Sequence, residues 1–312
     1  MMRMFNISAA PHIRQSTTTA GIMRDVSLSL LPALAIGIYY IGGRAFMITV
    51  LAIAGAMLSE LIYEKILHMP STLHDGSAFV TGLLLAMNLP GTVPFYIPLV
   101  GSAFAIIVVK MLFGGLGHNF MNPALGGRVF LLISFARIMT DFNFDGVTTA
   151  TPLARLAAGE SVPLKEMILG TGAGCIGETC ALALLAGAAY LLIRRVITLR
   201  IPATYIITFA IFVLLFGGHG FDVEFLVAQL CGGGLILGAF FMATDYVTSP
   251  ITAKGQIIFG ILLGILTGIF RFFGSAEEGV SYAIIFGNLL VPLIERITMP
   301  VPFGREGKKN GK

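Results

Sequence analysis

The chain has 312 residues, of which 56% are hydrophobic and only 12% are charged, with a net charge of +4. A soluble domain carries about 25% charged residues, so this composition indicates a polytopic membrane protein that contacts the lipid bilayer. It excludes a disordered chain, a disulfide-stapled secreted module and a nucleic-acid-binding domain. The three cysteines show neither a CxxC spacing nor a nearby histidine cluster, so no metal site is predicted.

Ten apolar stretches approach the roughly 20 residues that a membrane-spanning helix needs. They run over Val26–Gly43, Ala45–Tyr63, Ala78–Leu89, Pro94–Phe113, Pro123–Ile138, Gly170–Ile193, Thr198–Phe216, Phe225–Thr244, Gln256–Phe273 and Val280–Ile297. The third and fifth are short, and glycine or proline interrupts several, which is typical of broken helices buried by protein. The sequence predicts an all-α integral membrane protein of about ten transmembrane helices.

Lys and Arg predict the orientation, because they concentrate in loops on the cytoplasmic side. With a cytoplasmic N-terminus and alternating spans, fifteen of the 20 Lys and Arg residues face the cytoplasm. The reversed topology inverts this ratio, so both termini are predicted to be cytoplasmic. The longest internal polar loop, Thr140–Leu169, is then predicted to lie outside.

The long outer loop divides the ten stretches into two groups of five. Because each half crosses the membrane an odd number of times, the second half has the opposite orientation, which predicts two inverted repeats. Weak echoes support the division, since Gly82–Pro90 (GLLLAMNLP) resembles Gly238–Pro250 (GAFFMATDYVTSP). The predicted organisation is a cytoplasmic N-terminal segment (1–25), a first five-helix repeat (26–138), the extracytoplasmic loop (139–169), a second repeat (170–297) and a basic cytoplasmic tail (298–312).

The outer loop contains the segment DGVTTATPL, from Asp145 to Leu153. Its local pattern favours a helix start, with Thr151 as the N-cap and Pro152 at the first helical position. The segment also resembles the pattern Asp-x-x-(Ser/Thr)-x-Ala-Thr, on which flavin transferases attach FMN to threonine through a phosphoester. This resemblance implies that Thr151 is the acceptor, within a motif completed by Asp145, Thr148, Thr149 and Ala150. Thr149 replaces the usual glycine, a departure that leaves the acceptor unchanged.

Nearly the whole chain resembles the family that includes the D subunits of Rnf complexes, which are membrane ferredoxin:NAD oxidoreductases, and the B subunits of sodium-translocating NADH:quinone reductases. The matching stretches are Pro11–Arg14, Asp75–Ala86, Phe113–Arg128, Phe241–Pro250 and Glu278–Ala283, in the family's order. The chain lacks the long N-terminal extension of the quinone-reductase relative, which favours the Rnf branch.

The resemblance implies a membrane flavoprotein subunit that relays electrons across the cytoplasmic membrane of a bacterium or archaeon. Its complex would couple ferredoxin:NAD oxidoreduction to translocation of Na⁺ or H⁺. The implied partners are the other membrane and peripheral subunits of the complex, including a second covalent flavoprotein and iron–sulfur subunits, and the flavin transferase. No catalytic side chain is predicted in this chain, because the cofactor carries the redox chemistry.

The fourth inner loop holds Asn119 and Asn122, for which the local pattern indicates turn and cap roles before Pro123. The family resemblance implies instead that this loop lines a second, non-covalent flavin, riboflavin or FMN, near the cytoplasmic side. An amide offers donors and acceptors to the edge of an isoalloxazine ring, and Gly114 and Gly115 permit close backbone approach.

Two other functions remain open from sequence alone. Inverted five-helix repeats with broken helices also suit an ammonium- or urea-type channel or a secondary transporter. A structural anchor protein with an unused flavin motif is the other alternative.

Charged residues within the apolar stretches are functional candidates by default, because charge inside a bilayer is costly. Asp75 and Asp245 lie beside presumed broken helices, where they are either caps or functional carboxylates. The sequence leaves their roles and that of Lys110 open, together with the coupling ion and the location of its path.

Overall fold

The computed structural model describes residues 17–144, 147–148, 151–157, 163, 168–169, 174–218, 220–274 and 279–300. The first half contains α1 (Thr19–Ile41), α2 (Gly43–Ile66), α3 (Ser77–Met87), α4 (Tyr96–Phe113), α5 (Pro123–Ser134) and α6 (Ala136–Met139). A hairpin of β1 (Asn143–Phe144) and β2 (Val147–Thr148) and the short helix α7 (Pro152–Ala157) follow. The second half contains α8 (Ala181–Ile193), α9 (Arg200–Phe216), α10 (Val223–Cys231), α11 (Leu235–Met242), α12 (Ala253–Phe272) and α13 (Gly279–Thr298).

Apolar helices dominate the described residues, as the composition predicts. Within that part of the chain, α1, α2, α4, α12 and α13 are long and apolar enough to cross a membrane. The bent pair α10 and α11 is a sixth candidate, and α3, α5, α8 and α9 are shorter apolar helices. A multi-pass membrane protein is therefore confirmed, whereas ten spans in two inverted repeats stay a prediction. The two-residue strands pair antiparallel, a minor addition to the predicted all-α fold.

Several helices begin where a short polar side chain satisfies one or two of the first free backbone N–H groups. Thr18 accepts from the N–H of Gly21 before α1, and Thr252 accepts from that of Gly255 before α12. Asn122 and Asp222 cap α5 and α10 in the same way. Local sequence thus sets these helix starts, independently of the membrane.

Glycines let α9 and α12 pack closely. Gly260, Gly264 and Gly268 recur every fourth residue on α12, and a Cβ on any of them would collide with α9. Their partners on α9 include Thr204 and Phe212. Association of helices in lipid depends on such close van der Waals contact, because lipid tails are as apolar as the helix surfaces.

Within the described residues, the backbone departs from regular α-helix inside α4, inside α11, at the break between α10 and α11, and before α8. Residues Phe104–Lys110 of α4 and Gly238–Met242 of α11 form π-helical stretches. Helices α10 and α11 meet at 59°, across Gly233 and Gly234 with φ of +61° and +66°. Residues 174–180 were predicted as the start of a span from Gly170, but they pair with the end of α3, and α8 begins only at Ala181. Such backbone is tolerated at membrane depth only where protein buries it.

Two ends of the bundle carry the predicted sites. The 20 residues of α12 rise about 30 Å, so its two termini are about one hydrocarbon thickness apart. We call the end that contains the loop after α11 the pocket end. The end that contains α7 and Arg271 is called the Thr151 end.

Candidate functional site

Thr151 stands at the start of α7 and is partly exposed. Its Oγ1 accepts from the N–H of Ala154 at 3.2 Å, and its carbonyl accepts from the N–H of Arg155 at 3.0 Å. The prediction of Thr151 as an N-cap followed by Pro152 is therefore confirmed. Thr148 lies in β2, whereas Asp145, Thr149 and Ala150 of the attachment motif lie outside the described residues.

The cap does not conflict with a phosphoester on the same oxygen. Oγ1 of Thr151 accepts a hydrogen bond in the structure, and an ester oxygen keeps lone pairs for that contact. Partial exposure leaves the side chain within reach of a modifying enzyme. Thr151 thus fits the acceptor that the motif implies.

A cavity of about 770 Å³, including its open mouth, lies at the pocket end. Its mostly apolar wall with a few polar groups is typical of sites for organic cofactors. The apolar wall comes from α1, α3, α8 and α11, with Phe240 and Phe241 contributed by α11. The polar groups at its surface are Ser77, Thr81, Lys110, Asn119, Asn122, Thr244, Asp245 and Tyr246.

Asn119 and Asn122 both line this cavity, as predicted, but they make different contacts. Oδ1 of Asn122 accepts from the N–H groups of Ala124 at 3.0 Å and Leu125 at 3.4 Å, and its Nδ2 donates to the carbonyl of Met242 at 3.3 Å. The cap interpretation of Asn122 is therefore confirmed, and its amide also ties α5 to α11.

Asn119 keeps an acceptor for a ligand. It is 6% exposed, and its Nδ2 donates to the carbonyl of Met121 at 3.0 Å. Its Oδ1 receives no hydrogen bond from any residue that the structure describes. A buried acceptor without a donor is costly, so a ligand N–H at this place would stabilise the site. The imide edge of a flavin offers such a donor, which makes Asn119 a fitting contact.

The predicted glycines shape the loop instead of the cavity wall. Gly114 and Gly115 have φ of +112° and +90°, where side chains are strained, and they are not among the residues that line the cavity. They turn the chain from α4 so that Leu116 and Asn119 reach the cavity.

Lys110 forms a closed polar network in the cavity wall. Its Nζ lies 2.6 Å from Glu60 Oε2 and donates to Ser77 Oγ at 2.6 Å. The hydroxyl of Thr72 lies 2.6 Å from Glu60 Oε1 and 2.7 Å from Glu64 Oε1, and its single hydrogen can be donated to one of them at a time. Glu60 is fully buried, so this carboxylate depends on these contacts.

Arg128 forms a second network deeper in the bundle, between α5 and the segment before α8. Its guanidinium donates to Asn88 Oδ1 and to the sulfur of Cys175, and it lies 3.6 Å from Glu178 Oε1. Nδ2 of Asn88 in turn contacts the sulfur of Met242, at 3.8 Å. The network thus reaches from the segment before α8 to the end of α11 that borders the cavity.

Comparison with known proteins assigns the chain to a family. Residues 6–304 match the family described as NQR2, RnfD, RnfE. The chain belongs to that family. The D subunit of the Na⁺-translocating ferredoxin:NAD⁺ oxidoreductase complex of Acetobacterium woodii is 47% identical over 307 residues, covering 96% of this chain and 95% of the relative.

Other relatives align over a similar extent. The D subunit of the proton-translocating ferredoxin:NAD⁺ oxidoreductase complex of Clostridium ljungdahlii is 42% identical, covering 96% of each chain. The D subunit of the ion-translocating oxidoreductase complex of Escherichia coli K12 is 34% identical, covering 96% of this chain and 98% of the relative. Relatives named for either ion thus resemble this family member over almost their full length.

The sequence left the roles of Asp75 and Asp245 open. In the structure, both carboxylates accept local hydrogen bonds that stabilise turns. Asp75 accepts from the N–H and the hydroxyl of Ser77 at the start of α3. Asp245 follows α11 and accepts from Val247 N–H at 3.4 Å and Thr248 Oγ1 at 3.1 Å. Burial raises the pKa of Asp245 above its usual range, and these two hydrogen bonds oppose that rise.

The pairings within both networks were not predicted. Glu60, Lys110, Arg128 and Glu178 stand out in the sequence as charges in apolar stretches, without assigned partners. The presence of opposite charges within apolar stretches could have indicated these ion pairs, because charged groups inside a membrane usually pair with one another. Asn88 carried no comparable signal, since it ends α3 in a sequence typical of any helix end.

Proposed function

We propose that this chain is the D subunit of an ion-translocating ferredoxin:NAD⁺ oxidoreductase complex and relays electrons between the two ends of its bundle. FMN would be esterified to Thr151, and riboflavin or FMN would occupy the cavity beside Asn119. The observation that carries the proposal is full-length similarity to two relatives with that named activity, at 47% and 42% identity.

Two candidate sites at opposite ends of one bundle support a relay. A flavin supplies one-electron transfer when it is bound, and the protein supplies its position and surroundings. Thr151 would provide a covalent tether at one end. Asn119 would accept a hydrogen bond at the other end, while Phe240 and Phe241 exclude water from the cavity wall.

The proposal includes an orientation and partners. The pocket end and both termini would face the cytoplasm, with the Thr151 end outside, since this arrangement places most Lys and Arg inside. The shorter helices α3, α5, α8 and α9 and the bent pair α10–α11 would complete ten spans in two inverted repeats. A flavin transferase would modify Thr151, and other membrane and iron–sulfur subunits would exchange electrons with this chain.

Detection of covalently bound flavin directly tests the proposed attachment at Thr151. The chain is co-expressed with a flavin transferase, and wild type and Thr151→Val are compared under ultraviolet light after denaturing electrophoresis. Fluorescence in wild type that is lost in Thr151→Val, with the adduct located on the Thr151 peptide by mass spectrometry, supports the proposal. Thr72→Val is the matched control, because its hydroxyl lies at the pocket end, beside Glu60 and Glu64.

A dark wild-type band, under conditions that label a known acceptor, would contradict covalent attachment. Solute flux through proteoliposomes that contain the chain would then test the channel alternative.

A further inference from the structure

The break between α10 and α11 is held by one arginine from a third helix. Nη1 of Arg271, near the end of α12, donates to the carbonyl of Gln229 at 2.6 Å. Its Nη2 donates to the carbonyls of Gly232 at 2.8 Å and Gly233 at 3.2 Å. These carbonyls belong to the C-terminal end of α10, where no further helical N–H groups reach them and where positive charge is favourable.

The same break is the surface on which α7 rests. A Cβ on Gly233 would lie 2.6 Å from both Arg271 Nη2 and Leu153 Cδ1, so the glycine leaves room for both groups. Leu153 of α7 is 7% exposed and packs with Ala228 of α10. Gly233 also has a φ of +61°, a conformation that glycine adopts without strain.

Arg271 has few alternative positions. Its guanidinium lies over the ring of Phe209, 5.0 Å from the ring centroid, and Nη1 also donates to the side chain of Gln229. A planar fork with five donors can hold several carbonyls and an aromatic face at once, which a lysine ammonium on a flexible chain cannot do.

We propose that Arg271 is the positioning residue for the Thr151 helix: it fixes Gly232 and Gly233 of the break, and Gly233 provides the surface against which Leu153, two residues after Thr151, packs. The consequence for a flavin rests on the proposed attachment at Thr151. Loss of the arginine fork leaves the tether chemically intact and releases the helix that carries it.

The packing of Leu153 against Gly233, called the seat of α7 below, is tested by thiol labelling, which needs no flavin. Leu153→Cys is introduced into the assembled complex in a Cys231→Ser background, and its reaction with a membrane-impermeant maleimide is timed. Labelling is slow while Arg271 is present, because position 153 is buried. Arg271→Gln accelerates it about tenfold, since hydrogen bonds from a charged donor to the break are lost. Arg271→Lys restores slow labelling only in part.

Two matched controls separate this role from general loosening. Arg44 also donates to backbone carbonyls, those of Thr92 and Val93, and lies over the ring of Phe95, so Arg44→Gln removes the same kinds of contact elsewhere. Gly233→Ala displaces Leu153 without changing charge and accelerates labelling. Gly218→Ala imposes similar backbone strain, at φ +74° with no atom nearby, and leaves labelling slow.

The outcomes for the seat and for the attachment are measured separately. Equal labelling in wild type, Arg271→Gln and Gly233→Ala would overturn the positioning role of Arg271. In-gel flavin fluorescence of the same samples is expected to persist in Arg271→Gln. Its absence from wild type would contradict attachment at Thr151 while the labelling rates still decide whether Arg271 seats α7.

Discussion

Two cations that are buried in the described part of the chain, Lys110 and Arg128, differ in how closely their partners approach. Lys110 meets Glu60 and Ser77 at hydrogen-bond distance, and Thr72 occupies the remaining oxygen of Glu60. Arg128 approaches its carboxylate, Glu178, only to 3.6 Å. Glu178 Oε1 receives no hydrogen bond from any described residue.

This difference follows the backbone on which each network is built. Glu60 and Lys110 lie within long helices, α2 and α4, which fix both side chains from either side. Glu178 lies in a turn before α8, and its carboxylate faces Gly234 at the break between α10 and α11. A fully satisfied buried network makes its surroundings rigid, whereas a partly satisfied one permits a second arrangement at lower cost. We therefore expect the cavity wall around Lys110 to be more rigid than the segment beside the break.

The largest effect is expected at Lys110. Lys110→Met leaves the buried carboxylate of Glu60 without its cation, which should destabilise the complex by about 3–5 kcal/mol. Resistance to unfolding by SDS measures this loss. The double variant Lys110→Met/Glu60→Gln removes both charges and should recover most of the stability; failure to recover would show that the pair does not carry the effect.

Arg128→Met should cost less, about 1–3 kcal/mol, because the ion pair with Glu178 is longer, at 3.6 Å, and the Glu178 side chain is 13% exposed. The same SDS measurement compares the two variants directly. Arg137→Gln, at an exposed position, serves as the control and should change stability by no more than about 0.5 kcal/mol. A loss for Arg128→Met equal to that for Lys110→Met would contradict the contrast drawn between the networks.

The two cavity asparagines should separate ligand binding from folding. Asn119→Ala is expected to weaken retention of the proposed non-covalent flavin about tenfold with little change in SDS resistance, because Oδ1 has no described donor. Asn122→Ala removes a helix cap and should destabilise by about 0.5–2 kcal/mol. Flavin content after gel filtration gives the first quantity. Equal flavin content in wild type and Asn119→Ala argues against a contact at Oδ1.

The smallest effect is expected from Asp245, at the edge of the cavity wall. Its pKa is raised by burial, so folding favours the protonated carboxyl. The stability it contributes is present below the usual Asp pKa and is lost as pH rises through the raised value. Asp245→Asn should remove this decline, with a gain below about 1 kcal/mol at alkaline pH. Unfolding midpoints of both proteins across the acidic to alkaline range check the sign. A decline that persists in the variant assigns it to another group.

Much of the fold was predictable because it depends on local chemistry. Every predicted apolar stretch contains an apolar helix, and Thr151 and Asn122 cap helices as their neighbours in sequence indicated. The prediction that residues 174–180 are helical was wrong. An apolar, glycine-rich stretch has the same composition whether it forms a membrane-spanning helix or pairs with another backbone segment. Only contact with the end of α3 decides between these outcomes.

The candidate sites likewise combine features that depend on local sequence with features that depend on tertiary contacts. Asn119 and Thr151 were named from motifs, because each motif lies within one short segment. The free acceptor on Asn119 could not be foreseen, since it depends on how the loop folds against α5 and α11.

By itself, the sequence determined that this is a membrane protein of apolar helices, that Thr151 and Asn122 cap helices, and to which family the chain belongs. These properties follow from composition, caps and motifs, each of which acts over a few residues. The tertiary structure alone decided that Lys110 pairs with Glu60, that Arg128 reaches Asn88, and that Arg271 fills the break under Leu153. Side chains distant along the chain meet only when helices pack, and in lipid a buried charge stabilises whichever packing brings it a partner.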